Sequence, residues 1–166
     1  MKLEEQSYKK LISHIGDLLQ KGRQQAVQSV NTILVQTYWL IGQHIVEFEQ
    51  KGDVKAEYGS QLLDNLSKDL TALYGKGFSR SNIFQIRLFY LKFPIVQTLS
   101  GQLTWSHYTE ILKADNDLEI GFYRKQCQHE RWSVRELKRQ MKSSLFERIA
   151  LSKDTCLQNT KANNSP

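Results

Sequence analysis

The chain has 166 residues, with 23 Lys and Arg against 17 Asp and Glu, a formal net charge of +6 and a pI near 9.3. Hydrophobic residues make up 40% and aromatics 10%, enough for a real core, which excludes a wholly disordered chain and fits one domain. Only two prolines, Pro94 and Pro166, interrupt it, which favours long helices over a many-turned β-protein, while the positive charge leans towards anionic partners.

Residues 4–20 set Tyr8, Leu11, Ile12, Ile15, Leu18 and Leu19 at helical spacing, predicting a first helix. From Gly22 to about Glu49 a longer helix is expected, with Ala26, Val27, Val30, Ile33, Leu34, Thr37, Tyr38, Ile41 and Ile45 as its apolar stripe. Lys51-Gly52-Asp53 would end it. Residues 60–74 repeat the pattern through Leu62, Leu63, Leu66, Leu70 and Leu73. Gly75-Lys76-Gly77-Phe78-Ser79 reads as a tight turn, and Ser79 or Ser81 can cap a helix that runs to Phe93 and stops at Pro94. Further helices are expected over 105–114, 117–131 and 133–150, the last opened by a capping box, Ser133 to Glu136.

The pattern therefore predicts an all-α domain of six or seven helices over 1–151, with no significant sheet. A polar tail or severed linker follows over 152–166. Met1–Leu11 mixes acids with bases and lacks the apolar core of a secretory signal. No apolar run approaches the roughly 18–20 residues of a membrane span. Cys127 and Cys156 are isolated from each other and suggest reduced thiols, so a cytoplasmic location is expected and no membrane contact.

The charge is localised. Residues 76–109 carry Lys76, Arg80, Arg87 and Lys92 with no acid, and residues 124–148 carry eight bases against three acids. The first block lies in a helix-turn-helix-like hairpin over 60–93. At about 100° per residue, Ser81, Gln85 and Lys92 share a ridge with Asn82 beside it. Asn and Gln can bond adenine edges bidentately, while Arg and Lys hold phosphates or guanine. The same residues also fit an ordinary amphipathic helix with a solvated polar face. In that case Ile83, Ile86, Tyr90 and Leu91 would be its core side. In the second block Arg135, Arg139 and Lys142 recur at i, i+4 and i+7, with Lys138 at the edge and Arg131 upstream. Such a ridge suits a phosphate backbone, or equally a solvated face or a docking surface for acidic partners.

Catalytic patterns are absent. No Gly-rich phosphate loop, Gly-x-Ser-x-Gly elbow or His-Glu-x-x-His occurs, and the histidines at 14, 44, 107 and 129 are scattered. Asp53-Val54-Lys55 and Glu136-Leu137-Lys138 mimic part of a metal-dependent nuclease centre, but no Pro-Asp precedes either. We expect no catalytic residues, no metal and no cofactor.

Several anchors carry a resemblance: Tyr38-Trp39-Leu40-Ile41-Gly42, Tyr58-Gly59, Phe78-Ser79-Arg80-Ser81-Asn82, Leu103-Thr104-Trp105-Ser106-His107-Tyr108 and Phe122-Tyr123. They continue through Arg131-Trp132-Ser133-Val134-Arg135-Glu136-Leu137-Lys138-Arg139-Gln140 and Leu145 to Asp154. Over roughly residues 20–154 the sequence resembles the N-terminal helical domain of the YhcG-like family of PD-(D/E)xK nucleases. In that family a C-terminal nuclease domain would hold the metal-binding carboxylates. No position here corresponds to them, so the resemblance implies a non-catalytic module.

The resemblance also implies a nucleic-acid context, with duplex DNA preferred over RNA. The candidate binding set is Lys76, Ser79, Arg80, Ser81, Asn82, Gln85, Lys92, Arg131, Arg135, Lys138, Arg139 and Lys142. Trp105, Tyr108, Tyr123 and Trp132 are expected to be core anchors. The alternative is a protein-interaction module that docks a partner nuclease subunit or forms a homo-oligomer through the 22–49 helix.

Overall fold

The first fifty residues contain no proline, and nothing in them forces the backbone out of helical geometry. In the computed structural model, which describes residues 2–50, 56–96, 99 and 101–152, they form one helix, α1, Lys2–Gln50. The expected break at Gly22 does not occur. Gly22 keeps helical backbone, because a mid-helix glycine costs only about 1 kcal/mol against alanine and no capping residue follows it. The proposed stop at Lys51-Gly52-Asp53 lies outside the described residues, as do the tripeptide Asp53-Val54-Lys55 and the tail from 153.

Helix α2, Ala56–Tyr74, begins four residues before the expected start, and the turn after it is built as the glycines require. Gly75 and Gly77 take φ of +82° and +119°, a region that side chains other than glycine rarely enter. The Gly75 N–H closes α2 on Thr71 O at 3.0 Å. Ser67 Oγ donates to Phe78 O at 2.9 Å, tying the turn back onto α2. Ser79 caps α3, Arg80–Lys92, and its hydroxyl accepts the Asn82 N–H at 3.3 Å.

Short helices complete the body: α4, Trp105–Ile111, and α5, Asp117–His129, capped by Asn116. The single helix expected over 133–150 is two. Helix α6, Val134–Lys142, ends at Ser143, Ser144 adopts φ +49°, and α7 occupies 145–152. Bending there brings Phe146 to 5.4 Å from the Phe122 ring, and the Phe146 N–H donates to Tyr123 Oη at 3.4 Å. A straight helix would carry Phe146 past both. The described residues form seven helices and no strand.

Helix α3 is the hub. Ile83 and Ile86 join Ile45 in one apolar cluster, flanked by Leu63, Leu66 and Leu70 of α2. Phe89 and Phe93 join Val35, Trp39, Tyr108, Tyr123 and Leu137 in the larger one. α1 lies so close to α3 that a Cβ at Gly42 would meet Ile86 O at 2.5 Å and Tyr90 Cβ at 2.9 Å. Phe89 is buried, whereas Leu91, expected on the core side, is exposed. Trp39 Nε1–H donates to Phe93 O, which fixes the end of α3 against α1.

Helix α1 presents a different face from the one its apolar periodicity suggests. Val35, Trp39, Ile45 and Val46 are buried, while Val27, Val30 and Ile33 stay more than 60% exposed. Tyr8, Leu11, Ile12, Ile15, Leu18 and Leu19 are 44–68% exposed. At 3.6 residues per turn this stripe lies about half a turn from Val35 and Trp39, so α1 is apolar on two opposite sides and the domain covers one. Near its C-terminal end the uncovered side meets α2. There Ile41, His44, Ile45 and Phe48 of α1 and Leu62, Leu66 and Leu70 of α2 line an open apolar groove of about 390 Å³.

Candidate nucleic-acid interface

The two basic blocks differ in what their side chains are free to do. In the hairpin, most candidate residues hold the fold together. Asn82 Nδ2 donates to Gly77 O, and Asn82 Oδ1 accepts Trp105 Nε1–H at 2.9 Å, so the amide links the glycine turn to α4. Arg80 Nε lies 2.6 Å from Asp64 Oδ1 of α2. Arg87 Nε reaches both Glu49 carboxylate oxygens, at 2.9 and 2.7 Å. Lys92 Nζ contacts Asp117 Oδ1 at 2.6 Å. Gln85 is half-buried, with its Oε1 enclosed and without a hydrogen-bond partner among the described residues. Ser79 spends its hydroxyl on the cap. Lys76 and Ser81 remain exposed at the turn and first α3 residues. The second helix of the hairpin is thus wedged between α1, α2 and α4.

The second block is arranged differently. Ser133 caps α6 by accepting the Glu136 N–H at 3.2 Å. Glu136 does not close the expected reciprocal box. Its carboxylate turns up the helix to Arg139 Nη2 at 2.7 Å and Gln140 Nε2 at 2.6 Å. These donors, Arg139 first, hold the Glu136 carboxyl below the usual carboxylate range. Leu137 is fully buried and anchors the inner face of α6. Arg135, Lys138, Arg139 and Lys142 are exposed on the outer side and, with Ser133 and Glu136, line a shallow concavity of about 500 Å³. Lys138 Nζ stands 3.8 Å from Glu110 of α4, a loose contact for a solvated lysine. Arg131, exposed with φ +51°, sits just upstream of the cap.

The end of α5 and the start of α4 fix where α6 lies. Thr104 and His107 form a capping box that the sequence motifs did not single out: the Thr104 N–H reaches His107 Nδ1 at 3.2 Å. His107 Nε2 is 3.0 Å from Trp132 O, so the imidazole bridges α4 to the residue before the α6 cap. These bonds assign the ring proton to Nε2. The sequence signal for this clamp was the His107 and Trp132 pair within the family-like anchors, and spacing alone did not single it out.

No group of three or more His, Cys, Asp or Glu positioned to hold a metal occurs among the described residues. Glu136 and Lys138 diverge, the first towards Arg139 and the second towards Glu110, so the tripeptide forms no convergent pair. Cys127 is buried, which pushes its thiol up to about 11, while His129 nearby is exposed. Tyr108 and Tyr123 are fully buried and Trp105 and Trp132 half-buried, all as packing anchors. No described helix is long and apolar enough to cross a membrane.

Residues 14–148 match the family described as the DUF1016 N-terminal domain. The chain is also 38% identical over 179 aligned residues to the Escherichia coli (strain K12) protein named "Putative nuclease YhcG". That alignment covers 89% of this chain and 48% of the relative, so the chain spans about half its length and corresponds to its N-terminal part. No solved structure matches.

Proposed function

Because the chain belongs to the DUF1016 N-terminal domain family, we propose that it is a non-catalytic nucleic-acid-binding or targeting module of a nuclease-type protein. Its α6 ridge would lie along the phosphate backbone of duplex DNA. The observation that carries this reading is the contrast between the two basic blocks. Arg135, Lys138, Arg139 and Lys142 project from one exposed side of a helix whose other side is anchored by Leu137. Three hairpin cations pair with Asp64, Glu49 and Asp117 at 2.6–2.7 Å. On α6 Arg139 pairs with Glu136 at 2.7 Å, while Arg135 and Lys142 make no ion pair among the described residues.

A row of cations without a matching set of amide side chains suits backbone contact rather than base readout. The module would then supply affinity and orientation, and sequence choice would come from elsewhere. Lys76 and Ser81, exposed at the neighbouring turn, and Arg131 are the other members of the candidate set free to reach a phosphate. The test is fluorescence anisotropy with a labelled mixed-sequence duplex. Reversing Arg135 and Arg139 to glutamate should weaken binding by more than tenfold with an unchanged circular dichroism spectrum. Affinity equal to the unmodified chain would refute the assignment.

A second reading, a module that docks another protein chain, draws on the uncovered stripe of α1. The two are compatible, since the stripe and α6 belong to different parts of the molecule.

A further inference from the structure

Residues 8–30 of α1 are exposed throughout, so nearly half of a 49-residue helix buries no apolar side chain against the described residues. Most helical stability in proteins comes from packing an amphipathic face, and the apolar stripe of this arm is left bare. The helix itself indicates what would cover it. We propose that α1 pairs antiparallel with α1 of a second copy, each arm lying along the uncovered stripe and the α1–α2 groove of the other.

Three observations converge on a second copy. The first is spacing. The arm positions Tyr8 and Ile15 and the groove positions Phe48 and Ile41 are equidistant from residue 28, so a two-fold axis there sets Tyr8 against the partner's Phe48 and Ile15 against the partner's Ile41. Around that axis the stripe narrows to Gly22 and Ala26, which let two helices approach closely, and a Cβ at Gly22 would meet nothing within the chain.

The second is charge. Residues 24–46 contain no Asp, Glu, Lys or Arg, so two copies meet without like charges along the centre. At the ends the antiparallel register brings Lys9 level with the partner's Glu47. A parallel register would set the lysines against themselves.

The third is area. Burying a whole aliphatic side chain removes on the order of 100 Å² from water. About ten half-exposed stripe residues on each copy then supply roughly 1,000 Å² before flanking atoms are counted, the lower bound for a stable interface.

The test is the mass of the full chain by light scattering or sedimentation, with variants. The expected result is twice the 19.4 kDa chain, falling to the single-chain mass in Ile12→Glu/Ile15→Glu. The exposed substitution Lys9→Glu should weaken the dimer severalfold, and adding Glu47→Lys should restore it. In a Cys156→Ser background, Ala26→Cys should form a disulfide with its own counterpart and Ile15→Cys should not. A monomeric unmodified chain overturns the proposal. So does a dimer that survives both arm substitutions, or self-crosslinking at Ile15→Cys, which would mark a parallel pair.

Discussion

Asn82→Ala separates a side chain that reads DNA from one that braces the fold. The amide makes two bonds, donating to Gly77 O and accepting Trp105 Nε1–H at 2.9 Å. Trp105 in turn lies tilted 4.6 Å from Tyr38 and edge-on 5.3 Å from Phe89, so losing its polar anchor loosens the contact between the two apolar clusters. Two net hydrogen bonds at about 1 kcal/mol each give a loss of about 2 kcal/mol. For a domain of this size that lowers Tm by roughly 4–8 °C. Asn82→Asp keeps the acceptor for Trp105 and loses the donor to Gly77, so it should fall about halfway. The assay is thermal melting by circular dichroism beside duplex binding at 15 °C, where every variant is folded. Stability should drop while affinity stays within twofold of the unmodified chain. An unchanged melt with abolished binding would refute the bracing role and return Asn82 to the DNA surface.

Gly42→Ala forces a Cβ to 2.5 Å from Ile86 O and 2.9 Å from Tyr90 Cβ; it should cost about 1–3 kcal/mol, read by chemical denaturation. Glu136→Gln removes the acid that competes with phosphate for Arg139, so duplex affinity at a fixed salt concentration should rise, read by fluorescence anisotropy. Cys127 titrates near 11 in the fold, above its unfolded range, so the folded state retains its proton longer. Stability should therefore fall as pH rises from about 9 to 11, and Cys127→Ala should flatten that part of the profile.

Much of the fold was legible because helices announce themselves by period and by caps. Ser79 and Ser133 cap helices where they stand, and Gly75 and Gly77 hold the positive φ that the turn demands. Three features were not readable from spacing. Gly22 looks like a break, yet a single glycine is too weak a perturbation to end a helix that continues well on either side. Ser143-Ser144 looks like helix interior, and only the pull of Phe146 towards Phe122 and Tyr123 shows why the chain turns there. The stripe of α1 has the right period but points away from the domain, because Val35 and Trp39 on the other side pack on α3 instead.

The candidate site divides along the same line. Periodicity placed Arg135, Arg139 and Lys142 together on one ridge, and the structure has them there, exposed. The hairpin cations were read by type alone, and type does not reveal a partner distant in sequence. Glu49 is 38 positions from Arg87, and Asp117 is 25 positions from Lys92. Nothing in the local pattern marks those carboxylates as their counter-ions.

The central claim, that α6 grips a phosphate backbone, is tested most directly by duplex affinity across a salt series. If Arg135, Lys138, Arg139 and Lys142 each neutralise one phosphate, log affinity should fall against log salt with a slope near −3.6, at about −0.9 per contact. Arg135→Ala/Arg139→Ala should reduce that slope to roughly −1.8. A slope that does not change between the two proteins would contradict the account.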